Sequence, residues 1–170
     1  FPDSQVFRVT TSEYPFPAKN GYFVDSRFVR KVDGKPLPRK KFLPSPPILS
    51  CRLKSAVGAV YIWGSNWRFG IPKMLEWFPP RCRKTGWEFK LWTLRGTDCS
   101  GLIYQASKGF TPRNASALVS FGKPVPISGL DADAIANRLE PFDLIVWHSH
   151  VAIVLDREHV IQSRPDTDVV

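Results

Sequence analysis

Cys99 stands where a helix should begin. Thr97 and Asp98 are both good N-cap types, Leu102, Ile103 and Ala106 follow at helical spacing, and Gly109 supplies a stop. The positive end of a helix dipole favours a thiolate and lowers the pKa of a thiol placed there. Ser100 and Gly101 are small enough to let a substrate approach closely. Such a thiol is a nucleophile candidate, although position alone leaves a structural cysteine open. A cysteine nucleophile needs a base, and the chain has three histidines, His148, His150 and His159. His150 opens the apolar strand 150–155. His148, two residues earlier, shares its face by the two-residue period of a strand, so periodicity does not separate them. His159 lies beside the turn 156–158 and reads as solvated. Gln162, on the next strand, offers an amide oxygen to hold an imidazole by its other ring nitrogen. A hairpin turning near Arg157-Glu158 brings Gln162 roughly opposite His150.

The elements that must position these residues follow from pattern. Residues 48–59 predict a short helix, with Leu49, Leu53, Ala56 and Val57 near a 3.6-residue period. The helix opened by Asp98 comes next, then a helix over 131–139 with Asp131 and Asp133 at its positive end. After Pro141 the segments 143–147, 150–155 and 160–163 are β-branched and separated by turn-sized gaps. A helical half followed by an antiparallel meander is an α+β domain. Cysteine at a helix start, with His and Gln on adjacent strands, fits a papain-like arrangement.

The rest of the chain sets bounds. Its 170 residues suffice for one well-buried domain and an appendage. With 43% apolar and 23% charged residues it is neither a disordered tail nor a coiled coil. The longest apolar runs, 144–147 and 151–155, are far short of a membrane helix. Twenty-four basic against fifteen acidic residues leave a net charge of +9, which suits nucleic acid, anionic lipid, an acidic wall polymer or simply solvent. Three cysteines leave at least one unpaired. Cys51 and Cys82 can join only in an oxidising compartment, and no close Cys pair marks a zinc site. Residues 1–33 read as short strands. Residues 34–48, with five prolines and Arg39-Lys40-Lys41, read as a semi-rigid basic linker. The catalytic candidates lie in 49–170. Within it, 65–96 carries Trp67, Trp77, Trp87 and Trp92 among basic residues without a period. These rings make either a base-stacking platform or, the preferred reading, an irregular loop that tucks them into a core.

Asp98-Cys99-Ser100-Gly101-Leu102 resembles the nucleophile motif of the NlpC family, papain-like cysteine peptidases that cut peptidoglycan stem peptides. Tyr61-Ile62-Trp63-Gly64 resembles the family's Tyr-x-Trp-Gly segment, and Thr111-Pro112-Arg113 its Pro-Arg turn. Asp143-Leu144-Ile145, His150-Val151-Ala152-Ile153 and Val160-Ile161-Gln162-Ser163 are similar to its three strands, so the likeness spans about 49–164. It implies a papain-like α+β fold with Cys99 as nucleophile, His150 as base and His148 as bystander. Gln162 stands where His is common. Tyr61 is implied to set its hydroxyl near the sulfur, and Asp98 and Ser100 to hold the amino end of a free stem peptide. The implied reaction is hydrolysis of the γ-D-glutamyl–diaminopimelate bond, with no metal or organic cofactor and no nucleic-acid partner. The implied place is the cell envelope, periplasmic or secreted, or peptide recycling in the cytoplasm. Ser65 and Phe142 depart from the pattern, and the 37 residues between Tyr61 and Cys99 make 65–96 an insertion beside the cleft. Residues 21–28 are similar to the last strands of bacterial SH3-type domains. The rival readings are an amidase or acyltransferase on the same fold, and a non-catalytic wall- or nucleic-acid-binding module.

Overall fold

The computed structural model describes residues 5–11, 19–34, 37, 39–166 and 170. The chain divides into two compact units, Phe1–Lys41 and Phe42–Val170. In the first, β1 (Val6–Val9) pairs antiparallel with β2 (Tyr22–Asp25), Val6 opposite Asp25 and Val9 opposite Tyr22. Asp25 caps a single turn, Ser26–Phe28, by accepting from the Arg27 N–H at 2.9 Å. The Arg27 guanidinium on the same carboxylate holds its pKa down to about 2. No described residue of this unit is fully buried. Of the expected linker, residues 35, 36 and 38 lie outside the described residues.

The second unit opens with α1 (Pro46–Lys54), whose first two positions are the prolines expected to belong to the linker. A helix start needs no N–H there, and the fixed φ of proline is already helical, so Pro46 and Pro47 begin the helix rather than precede it. α1 buries Leu49 and Leu53, and Ala56 follows just beyond it. Val57, expected on the same face, is exposed, because the helix has already ended at Lys54. Next come β3 (Asn66–Trp67), α2 (Met74–Trp77), α3 (Gly86–Trp92) and β4 (Gly96–Thr97). β3 and β4 pair antiparallel, which closes the intervening segment into a loop with two short helices, the second started by a Thr85–Glu88 capping box.

The expectation that this loop tucks its rings into a core is corrected by the structure. Trp67, Phe69, Trp87 and Trp92 are all at least a third exposed, and Trp63 just before them is 85% exposed. No helix or strand of the loop buries a residue before β4, so there is no core for those rings to enter.

α4 (Cys99–Ala106) is the most buried helix, with Cys99, Ser100, Gly101, Leu102, Ile103 and Ala106 all shielded. α5 (Ala115–Leu118), which the pattern did not predict, adds Ala115 and Leu118 to the core. α6 (Ala132–Ala136) is shorter than the expected 131–139 but keeps Asp131 as its cap. The meander is β5 (Leu144–Trp147), β6 (His150–Val154) and β7 (Val160–Ile161), in the order β5-β6-β7 and antiparallel throughout. Val151 and Ile153 on central β6 meet Leu49 and Leu53 of α1 and Leu102 and Ile103 of α4 in one core cluster. Six helices and small antiparallel sheets make the described chain α+β. Among the described residues, no helix is long and apolar enough to cross a membrane.

Candidate active site

The site is assembled around one carboxylate. Asp98 has extended backbone, φ −88° and ψ −178°, and caps α4 by accepting from the Gly101 N–H at 2.6 Å. Its other oxygen takes the Gly64 N–H at 2.9 Å, which ties the Tyr61–Gly64 segment to the helix start. Arg113 closes a two-pronged ion pair on both oxygens, at 3.0 and 2.8 Å. The Ser100 hydroxyl donates to the same carboxylate at 3.3 Å and accepts from Arg113 at 3.1 Å. A carboxylate offers about four lone-pair sites, and five internal donors use them. Asp98 and Ser100 are 7% and 4% exposed. In this arrangement Asp98 braces the helix start, the Tyr61–Gly64 segment and Arg113 together, and Ser100 joins the same network.

Cys99 is the first residue of α4 and is 7% exposed. Its Sγ lies 3.9 Å from the Ser149 carbonyl oxygen, and the Val151 N–H also bonds it. The sulfur thus rests against the backbone on both sides of His150. The N–H groups of Cys99 and Ser100 at the helix start bond it too and favour the thiolate. Burial opposes them more strongly, with the Asp98 charge in support, and the thiol pKa is raised. The sequence expectation that the helix end lowers it is corrected. The dipole is present, but desolvation of the charged sulfur outweighs it. Cys99 rests as a thiol.

His150 opens β6 and is half-buried, while His148 is exposed in the two-residue turn His148-Ser149 that joins Trp147 to its partner His150. The structure separates the two histidines that strand periodicity left equal. His150 Nε2 is 2.8 Å from Gln162 Oε1. An amide oxygen only accepts, so Nε2 carries the hydrogen and Nδ1 keeps its lone pair. Ile153 pairs with Ile161 and Val154 with Val160, which puts Gln162 level with Ala152, diagonal to His150 rather than opposite it. Both side chains share a face, and a long amide spans the diagonal past the small Ala152. Next to Gln162, the Ser163 hydroxyl donates to the Thr97 carbonyl at 2.8 Å, which locks the end of β7 to the residue before the helix cap. His159 is exposed and bonded to Asp156 at 2.8 Å, away from this group.

Tyr61 bridges to Thr97, and burial together with the fields of Cys99 and Asp98 raises its hydroxyl pKa. It is a neutral donor within electrostatic reach of the sulfur. Two residues that sequence reasoning passed over complete the site. Trp147 sets its ring 4.9 Å from the His150 ring, at 45°. Arg113 was seen only as part of a turn, although a single arginine among small and apolar residues after the helix was a signal for a buried partner. Among the described residues no group of three His, Cys, Asp or Glu could hold a metal ion. Cys51 and Cys82 are unpaired and exposed. No protein-family model matches the chain, and no curated protein matches it.

Proposed function

We propose that this chain is a papain-like cysteine endopeptidase that hydrolyses the γ-D-glutamyl–diaminopimelate bond of peptidoglycan stem peptides. The observation that carries the reading is the 2.8 Å bond from His150 Nε2 to Gln162 Oε1, made beside a sulfur that lies against the backbone on either side of the same histidine. With Nε2 held, Nδ1 takes the Cys99 proton as the sulfur attacks the amide carbonyl after D-Glu. The oxyanion forms beside the free end of α4, where backbone N–H groups face the sulfur. Imidazolium returns the proton to the departing diaminopimelate amine and leaves a thioester. Water, deprotonated by His150, then hydrolyses it and restores the thiol. Because the thiol rests protonated, His150 has to act as a general base in the first step. The bond cleaved rests on the motif resemblance.

The test is mass spectrometry of products from L-Ala-γ-D-Glu-diaminopimelate, with Cys99→Ala as control. Release of L-Ala-D-Glu, absent with the variant, supports the reading. No cleavage of this peptide or of intact muropeptides by a protein with a reactive thiol ends it. An amidase on the same residues instead frees whole stem peptides from muramic acid. The exposed rings of 63–94 favour a second reading, a binding module, which predicts that Cys99→Ala leaves function intact.

A further inference from the structure

α3 carries more apolar surface than the fold uses. Its seven residues include Trp87, Phe89, Leu91 and Trp92, and not one of the seven is buried. Trp87 and Leu91 stand a turn apart on one side, and Phe89 and Trp92 share the other, so the helix has no polar back. A helix that is apolar all round belongs inside a protein or in lipid, yet these four side chains are between 37% and 41% exposed. The apolar surface continues into the rest of the loop, where Trp67 and Phe69 are each about half exposed, their ring centroids 5.1 Å apart. The loop is braced. The Trp92 indole donates to the Phe78 carbonyl at 2.7 Å, and the Ile71 N–H to the Thr93 carbonyl at 2.7 Å. Gly70 allows the second contact: at φ 72° it runs so near the end of α3 that a Cβ there would stand 2.7 Å from the Arg95 Cβ. The rings are therefore presented on a fixed frame.

We infer that this loop docks on the headgroup layer of an anionic lipid membrane. The inference does not depend on any chemistry at Cys99. Between Trp63 and Arg95 seven basic residues stand against two acidic ones, Glu76 and Glu88, so more than half of the net charge of +9 lies in this one segment. An anionic lipid surface attracts such a segment, and tryptophan suits the boundary between headgroups and acyl chains, where one end of the ring is dry and the other wet. The lysines decide between a membrane and a protein partner. Protein interfaces are depleted in lysine. Here Lys73 lies over the Trp77 ring at 5.7 Å and Lys84 over the Trp92 ring at 5.4 Å. A lysine so placed lays its stem along the apolar surface and lifts its ammonium to the lipid phosphates. Nucleic acid fits less well. Trp67 and Phe69 meet edge-on at 67°, and Arg68 covers one face of the Phe69 ring at 4.4 Å, so successive bases find no run of parallel ring faces. At seven residues, α3 lies on a bilayer and does not cross it.

The test is co-sedimentation of the full chain with vesicles of equal parts phosphatidylglycerol and phosphatidylcholine, and with vesicles of phosphatidylcholine alone. The loop variant is Trp87→Gln/Phe89→Gln/Leu91→Gln, and the matched control is Val119→Gln/Val125→Gln/Ile127→Gln, three exposed apolar residues outside the loop. The expected result is binding of the parent to the anionic vesicles, weakened by salt, about tenfold or more weaker in the loop variant and near the parent in the control. A second variant, Arg81→Gln/Arg83→Gln/Lys90→Gln, leaves the rings in place and guards against misfolding of the first. It should also lose binding to the anionic vesicles at low salt, and full binding by it overturns the inference. Tryptophan emission of the parent should move to shorter wavelength on the anionic vesicles and be quenched by lipid brominated on its acyl chains. Absence of binding by the parent overturns the inference, as does equal loss in the loop variant and the control. Equal binding to both kinds of vesicle overturns the anionic surface. Self-association that the loop variant abolishes, without vesicle binding, assigns the face to a second copy of the chain, and tighter retention of single-stranded DNA than of vesicles assigns it to nucleic acid. Either result overturns the inference.

Discussion

In the proposed reaction the Cys99 sulfur and the Gln162 amide, which would steady His150 as its base, act on different parts of the pH profile. Burial and the Asp98 charge raise the Cys99 pKa in the folded chain above the ordinary thiol value. The unfolded chain then releases this proton first as pH rises, and stability falls across the window between the ordinary and the raised value. Below that window the contribution is fully present. Urea unfolding against pH should therefore show an alkaline loss in the parent that Cys99→Ala reduces, and identical curves for the two would contradict the raised value. Gln162 acts on the other partner. Gln162→Ala removes the acceptor that fixes the Nε2–H tautomer, and kcat should fall by about 10–100-fold, as loss of an orienting partner typically does. Gln162→Glu restores the acceptor but places a charge opposite the ring, which favours imidazolium. Its activity should exceed that of the alanine variant, with the acid limb of the rate–pH profile moved to higher pH. If the two variants behave alike at every pH, Gln162 does not orient the ring.

The elements show why parts of this arrangement were legible in the chain and others were not. The α4 start was readable because Asp98 is an N-cap type and its acceptor goes to Gly101, a local bond fixed by local sequence. The hairpin was readable because β-branched runs and a turn set the β6–β7 register, although Gln162 came out diagonal to His150 rather than opposite. Burial of the thiol was not readable, since the Ser149 and Val151 backbone that covers it arrives from 50 residues away. Nor was the saturation of Asp98, whose partners Gly64 and Arg113 come from two other segments. The exposed rings of the 65–96 loop failed for a related reason: aromatic composition is the same whether or not a core exists to receive it. Element packing yields its own prediction at Gly101. A Cβ there would stand 2.2 Å from the Ser65 carbonyl oxygen and 2.9 Å from Asp98 Oδ1. Helix propensity favours alanine by about 1 kcal/mol, but overpacking against fixed backbone costs about 1–3 kcal/mol, and the backbone contact decides. Gly101→Ala should lower the unfolding free energy and slow Cys99 chemistry together. A stabilised variant of full activity would show that the helix start is looser than its contacts indicate.

At the scale of the molecule, the catalytic candidates depend on a polar brace as much as on the apolar core. The Asp98–Arg113 pair is 11% and 10% exposed at its side chains and joins the loop after α4 to the helix start and, through Gly64, to the segment Tyr61–Gly64. An isolated surface pair of this kind contributes about 0–1 kcal/mol, whereas breaking a buried one strands a charge and costs about 3–5 kcal/mol. That range is a large fraction of the stability of a domain this size, about 5–15 kcal/mol. Arg113→Met keeps much of the side-chain volume but leaves the Asp98 carboxylate without its counter-charge. The unpaired charge raises the cost of forming a thiolate beside it as well. Denaturant midpoints should therefore fall steeply in Arg113→Met, and alkylation of Cys99 in the folded remainder should slow. Asp98→Asn in the same background removes the stranded charge, so it should recover part of the stability lost in the single variant. The cycle separates charge from packing. If the second substitution recovers nothing, the brace works by shape alone rather than by charge.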